Sequence, residues 1–171
     1  MKGFLIKAQE IYKEMERTVQ EILAGLDTKF PGCHDKIFLP KNGEKRHILL
    51  RFLKYDWDES GKYLAKPHFD SGSLTLAIGE SGPGLRIGSC QKDLKLVEHK
   101  EGYAQLFISS NFEKVFGLES GFKPGWHDVI QLDKASINRP FSRWAIVAFI
   151  EASDVEALSR QETHKYYNEV Q

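Results

Sequence analysis

The residues with most chemistry to offer are His68 and Asp70, one residue apart in Lys66-Pro67-His68-Phe69-Asp70-Ser71-Gly72-Ser73-Leu74-Thr75-Leu76. On an extended backbone, side chains two apart share a face, so the spacing predicts an imidazole and a carboxylate aimed at one point. They stand at the head of a hydrophobic run, where an unpaired carboxylate is costly to bury. A cation at that point removes the cost. Two imidazoles and one carboxylate on one face suit a ferrous ion and leave coordination positions open. A distant histidine is then needed. His127 opens the apolar stretch Trp126-His127-Asp128-Val129-Ile130 and is the better candidate. His99, between Glu98 and Lys100, reads as a solvent-exposed loop residue, and His164 sits in the tail. His34 and Cys33 have no second ligand pair near them. Each histidine alone is more often structural or superficial, and a lone His-x-Asp is weak. The weight lies in the joint placement, one pair entering a strand and one histidine opening a later strand.

These groups need rigid elements to hold them. Phe4, Leu5, Ala8, Ile11, Tyr12, Met15, Val19, Ile22, Leu23 and Leu26 recur at three- and four-residue steps. They predict an amphipathic helix over residues 1–27, with its apolar face laid on a sheet. Residues 28–44, with Pro31-Gly32, Pro40 and Asn42-Gly43, read as a loop. From Arg46 the period becomes that of strands. Short β-forming runs recur at residues 46–55, 62–69, 73–78, 85–87, 94–97, 103–109, 128–132 and 143–151. Turn residues separate them, among them Ser81-Gly82-Pro83-Gly84, where Pro83 and Gly84 suit the centres of a type II turn. Many short strands broken by Gly, Pro and Ser predict an antiparallel sandwich or jelly roll over residues 46–151. Ser153-Asp154-Val155-Glu156 has capping-box spacing, so a short helix and a frayed tail are expected over 152–171.

At 171 residues the chain is expected to form a single domain. Its 24 basic and 24 acidic residues cancel, which argues against nucleic acid as the main partner. Cys33 and Cys90 are isolated and form no disulfide framework, so a reducing cytoplasm is the expected setting. No apolar signal core and no stretch of membrane-spanning length is visible, so no membrane association is expected.

Five pieces in order carry a family resemblance. They are Arg51 to Tyr55, His68-Phe69-Asp70-Ser71-Gly72-Ser73-Leu74-Thr75-Leu76, Gly84-Leu85-Arg86-Ile87, His127-Asp128-Val129, and Arg143-Trp144-Ala145-Ile146-Val147-Ala148-Phe149. The region from about Leu49 to Phe149 resembles the 2-oxoglutarate- and Fe(II)-dependent oxygenases, most closely the isopenicillin N synthase-like branch. The resemblance implies a mainly β fold with flanking helices. Its core is a double-stranded β-helix, a cupin-like jelly roll, with the N-terminal helix packed on the sheet. It implies Fe(II) held by His68, Asp70 and His127, and 2-oxoglutarate as co-substrate, with Arg143 meeting the far carboxylate through a bidentate fork and Tyr55 adding a hydroxyl. Arg139, before Pro140, is the rival arginine and falls in an expected hairpin loop over 133–142. Two departures stand out: the family serine two residues after the arginine is Ala145 here, and the interval from His127 to Arg143 is long.

The implied activity is that of a dioxygenase. It would use O2, convert 2-oxoglutarate to succinate and CO2, and oxidise, by hydroxylation, a small-molecule or amino-acid-like substrate. The alternatives are a non-catalytic metal-containing jelly-roll binding module and a zinc hydrolase with Asp128 as base. With little N-terminal material to wall the pocket, the site is expected to be open or lidded by a second subunit in a homodimer. Arg86 is a candidate for contact with substrate or with solvent alone, Trp57, in a turn, for a pocket rim, and Trp126 for the pocket or the core.

Overall fold

Helix α1 spans Lys2–Asp27 in the computed structural model, which describes residues 2–38, 48–56, 60–132 and 143–152. Most of its charged positions face water, and Met15, Val19 and Leu23 are buried. Helix α2, Cys33–Phe38, follows where a loop is expected from the sequence. Its start depends on a residue outside the local pattern: Asp27 Oδ1 accepts the His34 amide hydrogen at 3.1 Å, giving an orphan N–H of the first turn its acceptor. Burial of Cys33, Ile37 and Phe38 then holds it. The expected C-terminal helix, the hairpin over 133–142, Trp57, Arg139 and His164 lie outside the described residues.

Among the described residues eight strands follow in the order expected, with ends shifted by a few residues. They are β1 (Ile48–Tyr55), β2 (Tyr63–His68), β3 (Leu74–Glu80), β4 (Leu85–Gly88), β5 (Lys95–Leu96), β6 (Gln105–Ile108), β7 (Trp126–Ile130) and β8 (Arg143–Ile150). Helix α3, Phe112–Phe116, and a single 3₁₀ turn, Leu118–Ser120, lie between β6 and β7. The strands form two four-stranded antiparallel sheets, ordered β1-β8-β3-β6 and β2-β7-β4-β5. The chain passes back and forth between the sheets, as in a jelly roll.

Strand alternation divides the first sheet into two faces. Leu74, Leu76, Ala148 and Ile150 belong to one hydrophobic cluster that also holds Met15, Val19 and Leu23 of α1 and Ile37 of α2. The opposite face carries Leu49, Arg51, Leu53 and Tyr55 from β1, Thr75 and Ala77 from β3, Phe107 from β6, and Arg143, Ala145, Val147 and Phe149 from β8. All of these line a cleft of about 850 Å³. An irregularity in β3 breaks the alternation. Ala77 pairs with Val147 but Gly79 with Ile146, so two steps of β3 oppose one step of β8. This bulge returns Glu80 to the cleft face, which a regular strand would deny it.

The turn before β3 brings backbone close to β8. Ser73 N donates to Ile150 O at 2.8 Å, and a Cβ at Gly72 would lie 2.9 Å from that oxygen. Gly72 therefore seats the His68–Asp70 segment against the first sheet.

Candidate metal centre

His68 and His127 are brought together by strand register. β2 and β7 are antiparallel neighbours, and the two histidines face each other across the pair. Cross-strand partners on one face are in contact range, and the imidazole centroids lie 4.3 Å apart. Asp70 follows the end of β2 and turns back toward both rings. Its Oδ1 is 3.4 Å from His68 Nε2, and its Oδ2 is 3.6 Å from His127 Nε2. One ligand atom from each of the three residues lies within 4.8 Å of the others. The pair separated by one residue and the later strand-opening histidine thus meet at one point. His99 is exposed and takes no part.

The support around the three residues fixes which atoms face that point. His68 Nδ1 donates to Lys66 O at 2.6 Å, and His127 Nδ1 donates to Gly125 O at 2.9 Å. A carbonyl only accepts, so both rings carry their proton on Nδ1 and turn the Nε2 lone pair inward. Thr75 Oγ1 donates to Asp70 Oδ2 at 2.6 Å and lies 2.9 Å from Ser109 Oγ. Ser110 donates to the Asp70 carbonyl from both its amide, at 2.9 Å, and its hydroxyl, at 2.8 Å. Sequence reasoning singles out none of Thr75, Ser109 and Ser110. Only Thr75 carries a signal, since five residues after Asp70 it starts on the opposite side of a tight turn.

Electrostatics favour a cation here. Burial alone would raise the Asp70 pKa, but the His68 contact, the His127 ring and the Thr75 hydroxyl outweigh it and hold the carboxyl below its ordinary range. Burial is also the largest influence on His68, acting to lower it, and the hydrogen bond and charge of Asp70 reverse the outcome to a net rise. Burial keeps His127 below its ordinary range. The ionised carboxylate and the neutral His127 are the forms a divalent metal needs.

Phe69, between the two, packs edge-on against Trp126 with centroids 4.8 Å apart, and Phe107 lies 4.8 Å from the His127 ring. Trp126 is buried and also borders the cleft, so both expected places for it apply. Further along the cleft, Arg143 is 7% exposed at its side chain. Its Nη2 donates to Glu80 Oε1 in a short ion pair, its Nε donates to Gly82 O at 3.2 Å, and its guanidinium carbon stands 5.7 Å from the Tyr55 ring centroid. Glu80 is not anticipated from the sequence, because its place depends on the bulge.

No protein-family model matches the sequence, and no curated protein matches it. Solved structures do. A full-length Neurospora crassa protein in complex with alpha-KG superposes with a TM-score of 0.70 at 16% identity, over 96% of this chain and 55% of that one. A Shewanella oneidensis protein described as a candidate oxygenase gives 0.69 at 19% identity, over 95% of this chain and 62% of that one. JOX2 in complex with 2OG, Fe and JA gives 0.64 at 19%, over 90% of this chain and 44% of that one. The chain shares the fold of these structures. The chain spans 55–62% of the length of the first two.

Within this fold, Asp128 points away from the cleft. It is fully buried and receives Arg86 in a two-pronged contact, Nε to Oδ1 at 2.8 Å and Nη2 to Oδ2 at 2.6 Å. Neither residue borders the cleft. That removes Asp128 as the base of a zinc hydrolase and Arg86 as a contact in the cleft. Among the described residues no helix is long and apolar enough to cross a membrane.

The Thr75 hydroxyl is testable. Thr75→Val keeps the shape and removes the donor to Asp70, so Fe(II) affinity should fall roughly tenfold or more, the usual scale for an outer-shell partner. Equilibrium dialysis under nitrogen checks this, and Ser110→Ala, which touches only the Asp70 backbone, should have the smaller effect.

Proposed function

We propose that the chain is an Fe(II)- and 2-oxoglutarate-dependent dioxygenase. It would hydroxylate a small-molecule or amino-acid-like substrate, with O2 as oxidant and with succinate and CO2 as products of 2-oxoglutarate. The observation that carries this reading is the convergence of two Nε2 atoms and one carboxylate at a cleft that also holds a buried arginine. The fold shared with structures crystallised with 2OG or alpha-KG supports it. The ordered motifs around His68 and Arg143 support the isopenicillin N synthase-like branch.

The donor set fits the metal: two neutral imidazoles and a carboxylate on one side, with open positions toward the cleft. His68, Asp70 and His127 would hold the ion. Fe(II), when bound, supplies the site at which O2 oxidation is coupled to decarboxylation of the oxo acid. The rest falls to the chain. The Lys66 and Gly125 carbonyls keep both imidazoles in the ligating tautomer. Thr75 holds the carboxylate in place. Arg143 would take the far carboxylate of 2-oxoglutarate, and Tyr55 would border the same slot. Leu53, Ala145, Val147 and Phe149 give the cleft an apolar wall that limits water near the reacting centre. Helix α1, through Met15, Val19 and Leu23, would cover the outer face of the first sheet and keep these strands in register.

One observation favours the second reading, a non-catalytic metal-containing binding module. Arg143 is already paired with Glu80, so the slot is not plainly open. Titration of the anaerobic Fe(II) protein with 2-oxoglutarate separates the two readings. A weak visible charge-transfer band that grows to saturation supports the oxygenase, and iron binding with no band supports the module.

A further inference from the structure

Glu80 is the last residue of β3, and its carboxylate and the Arg143 guanidinium are almost fully enclosed, with side chains 11% and 7% exposed. Both border the same cleft as the three candidate ligands. The guanidinium is held from two sides, by Glu80 on Nη2 and by Gly82 O on Nε. An arginine fork recognises a carboxylate by this kind of contact, and here the chain supplies the carboxylate itself.

We propose that Glu80 is a specificity-determining residue. Its carboxylate occupies the anion seat on Arg143, and a dicarboxylic 2-oxo acid binds by exchanging its far carboxylate for that of Glu80. The inference rests on the oxygenase reading above. Two ionised carboxylates on one guanidinium repel each other, and the fork already gives its Nη2 to Glu80 and its Nε to Gly82 O. One must leave. Gly82 O keeps Arg143 oriented while this happens. Glu80 would be the group that moves, because it ends β3 just before Ser81-Gly82-Pro83-Gly84 and a change of its side-chain rotamer does not require the sheet to move. The exchange makes the affinity for 2-oxoglutarate a difference between two carboxylate contacts, and it sets a threshold against weak anions.

The test is calorimetric titration of the full chain loaded with Mn(II), a metal that binds the same donors. The ligands are 2-oxoglutarate and pyruvate, a 2-oxo acid with no far carboxylate. Glu80→Gln keeps the size and one acceptor for Arg143, and Glu80→Ala empties the seat; a melting curve verifies that each is folded. Both variants should bind 2-oxoglutarate roughly ten- to a hundredfold tighter than the natural chain, the worth of one contact to a charged group. Pyruvate affinity should not change. In Glu80→Ala, added acetate should weaken 2-oxoglutarate binding and raise the melting temperature by refilling the seat. Unchanged or weaker 2-oxoglutarate binding in folded variants, with the natural chain binding it well, overturns the exchange and leaves the oxygenase reading standing. Glu80 is then a positioning residue for Arg143. If neither the natural chain nor the variants bind 2-oxoglutarate although all bind Mn(II), the exchange and the oxygenase reading fall together.

Discussion

Asp70→Ala should remove metal binding while leaving the chain folded. Asp70 supplies the only anionic donor of the candidate set, and its carboxylate lies within 3.4 Å of one imidazole and 3.6 Å of the other. Losing an outer-shell partner commonly weakens a metal ten- to a hundredfold, so loss of the anionic ligand itself should exceed about a hundredfold. The fold should survive because the neighbouring contacts do not need the side chain: Ser110 binds the Asp70 carbonyl, Ser73 N binds Ile150 O, and Thr75 keeps Ser109 as a partner. His127→Ala should behave alike, and His99→Ala should bind Fe(II) as the natural chain does. Acid should have the same direction of effect. The Asp70 contacts leave the His68 pKa above its ordinary value, so a proton competes for Nε2 in a range above that of a free imidazole. Fe(II) affinity should therefore fall as the pH drops through that range and hold steady above it. Anaerobic equilibrium dialysis across pH measures all of this. Iron retained by the Asp70 variant and lost from the His99 variant would mean that the donors are elsewhere.

The second large effect is expected at Arg143. Arg143→Leu removes the guanidinium that is to meet the far carboxylate, a contact worth about 1.5–3 kcal/mol per charged hydrogen bond. The dissociation constant for 2-oxoglutarate should rise roughly ten- to a hundredfold, with Fe(II) binding nearly intact, because Arg143 is not among the ligand atoms. The same change should lower the melting temperature. It takes the cation from the Glu80 carboxylate, and the loss should be smaller than the about 3–5 kcal/mol usual for breaking a fully buried ion pair, because Glu80 can turn away from the vacated position. Arg143→Leu combined with Glu80→Gln should recover much of the stability and none of the affinity. Arg143→Lys should restore part of each, since an ammonium keeps the charge and loses the fork. Calorimetry and a melting curve on the natural chain and these three variants give both quantities. A normal dissociation constant for Arg143→Leu would place the carboxylate seat on another cation.

The candidate metal centre is legible in the sequence because its information is local. His68 and Asp70 share a motif, Gly72 marks the tight approach to β8, and His127 opens a strand whose partner follows from the same motif. The strands are legible from their period and turn residues, with ends shifted by a few positions. What stays hidden depends on tertiary relations. Helix α2 reads as loop because its N-terminal amide is satisfied by Asp27, seven residues before His34, and its hold is burial rather than pattern. Asp128 and Arg86 pair across β7 and β4, so neither residue alone shows that the other has taken it. Glu80 depends on a one-residue bulge, which moves a side chain from one face of a sheet to the other without any mark in the composition. The proposed co-substrate slot is therefore the least legible part of the site, since the Glu80 contact to Arg143 hangs on that bulge.

The most direct measurement is succinate production by the purified chain supplied with Fe(II), 2-oxoglutarate, O2 and ascorbate, with a metabolite screen as the source of substrate. The account predicts slow succinate formation without substrate, faster formation with a matching small molecule, and none from Asp70→Ala or when O2 or iron is omitted. Tight iron binding through His68, Asp70 and His127 with no succinate and no 2-oxoglutarate binding, in the natural chain and in Glu80→Gln alike, would contradict it.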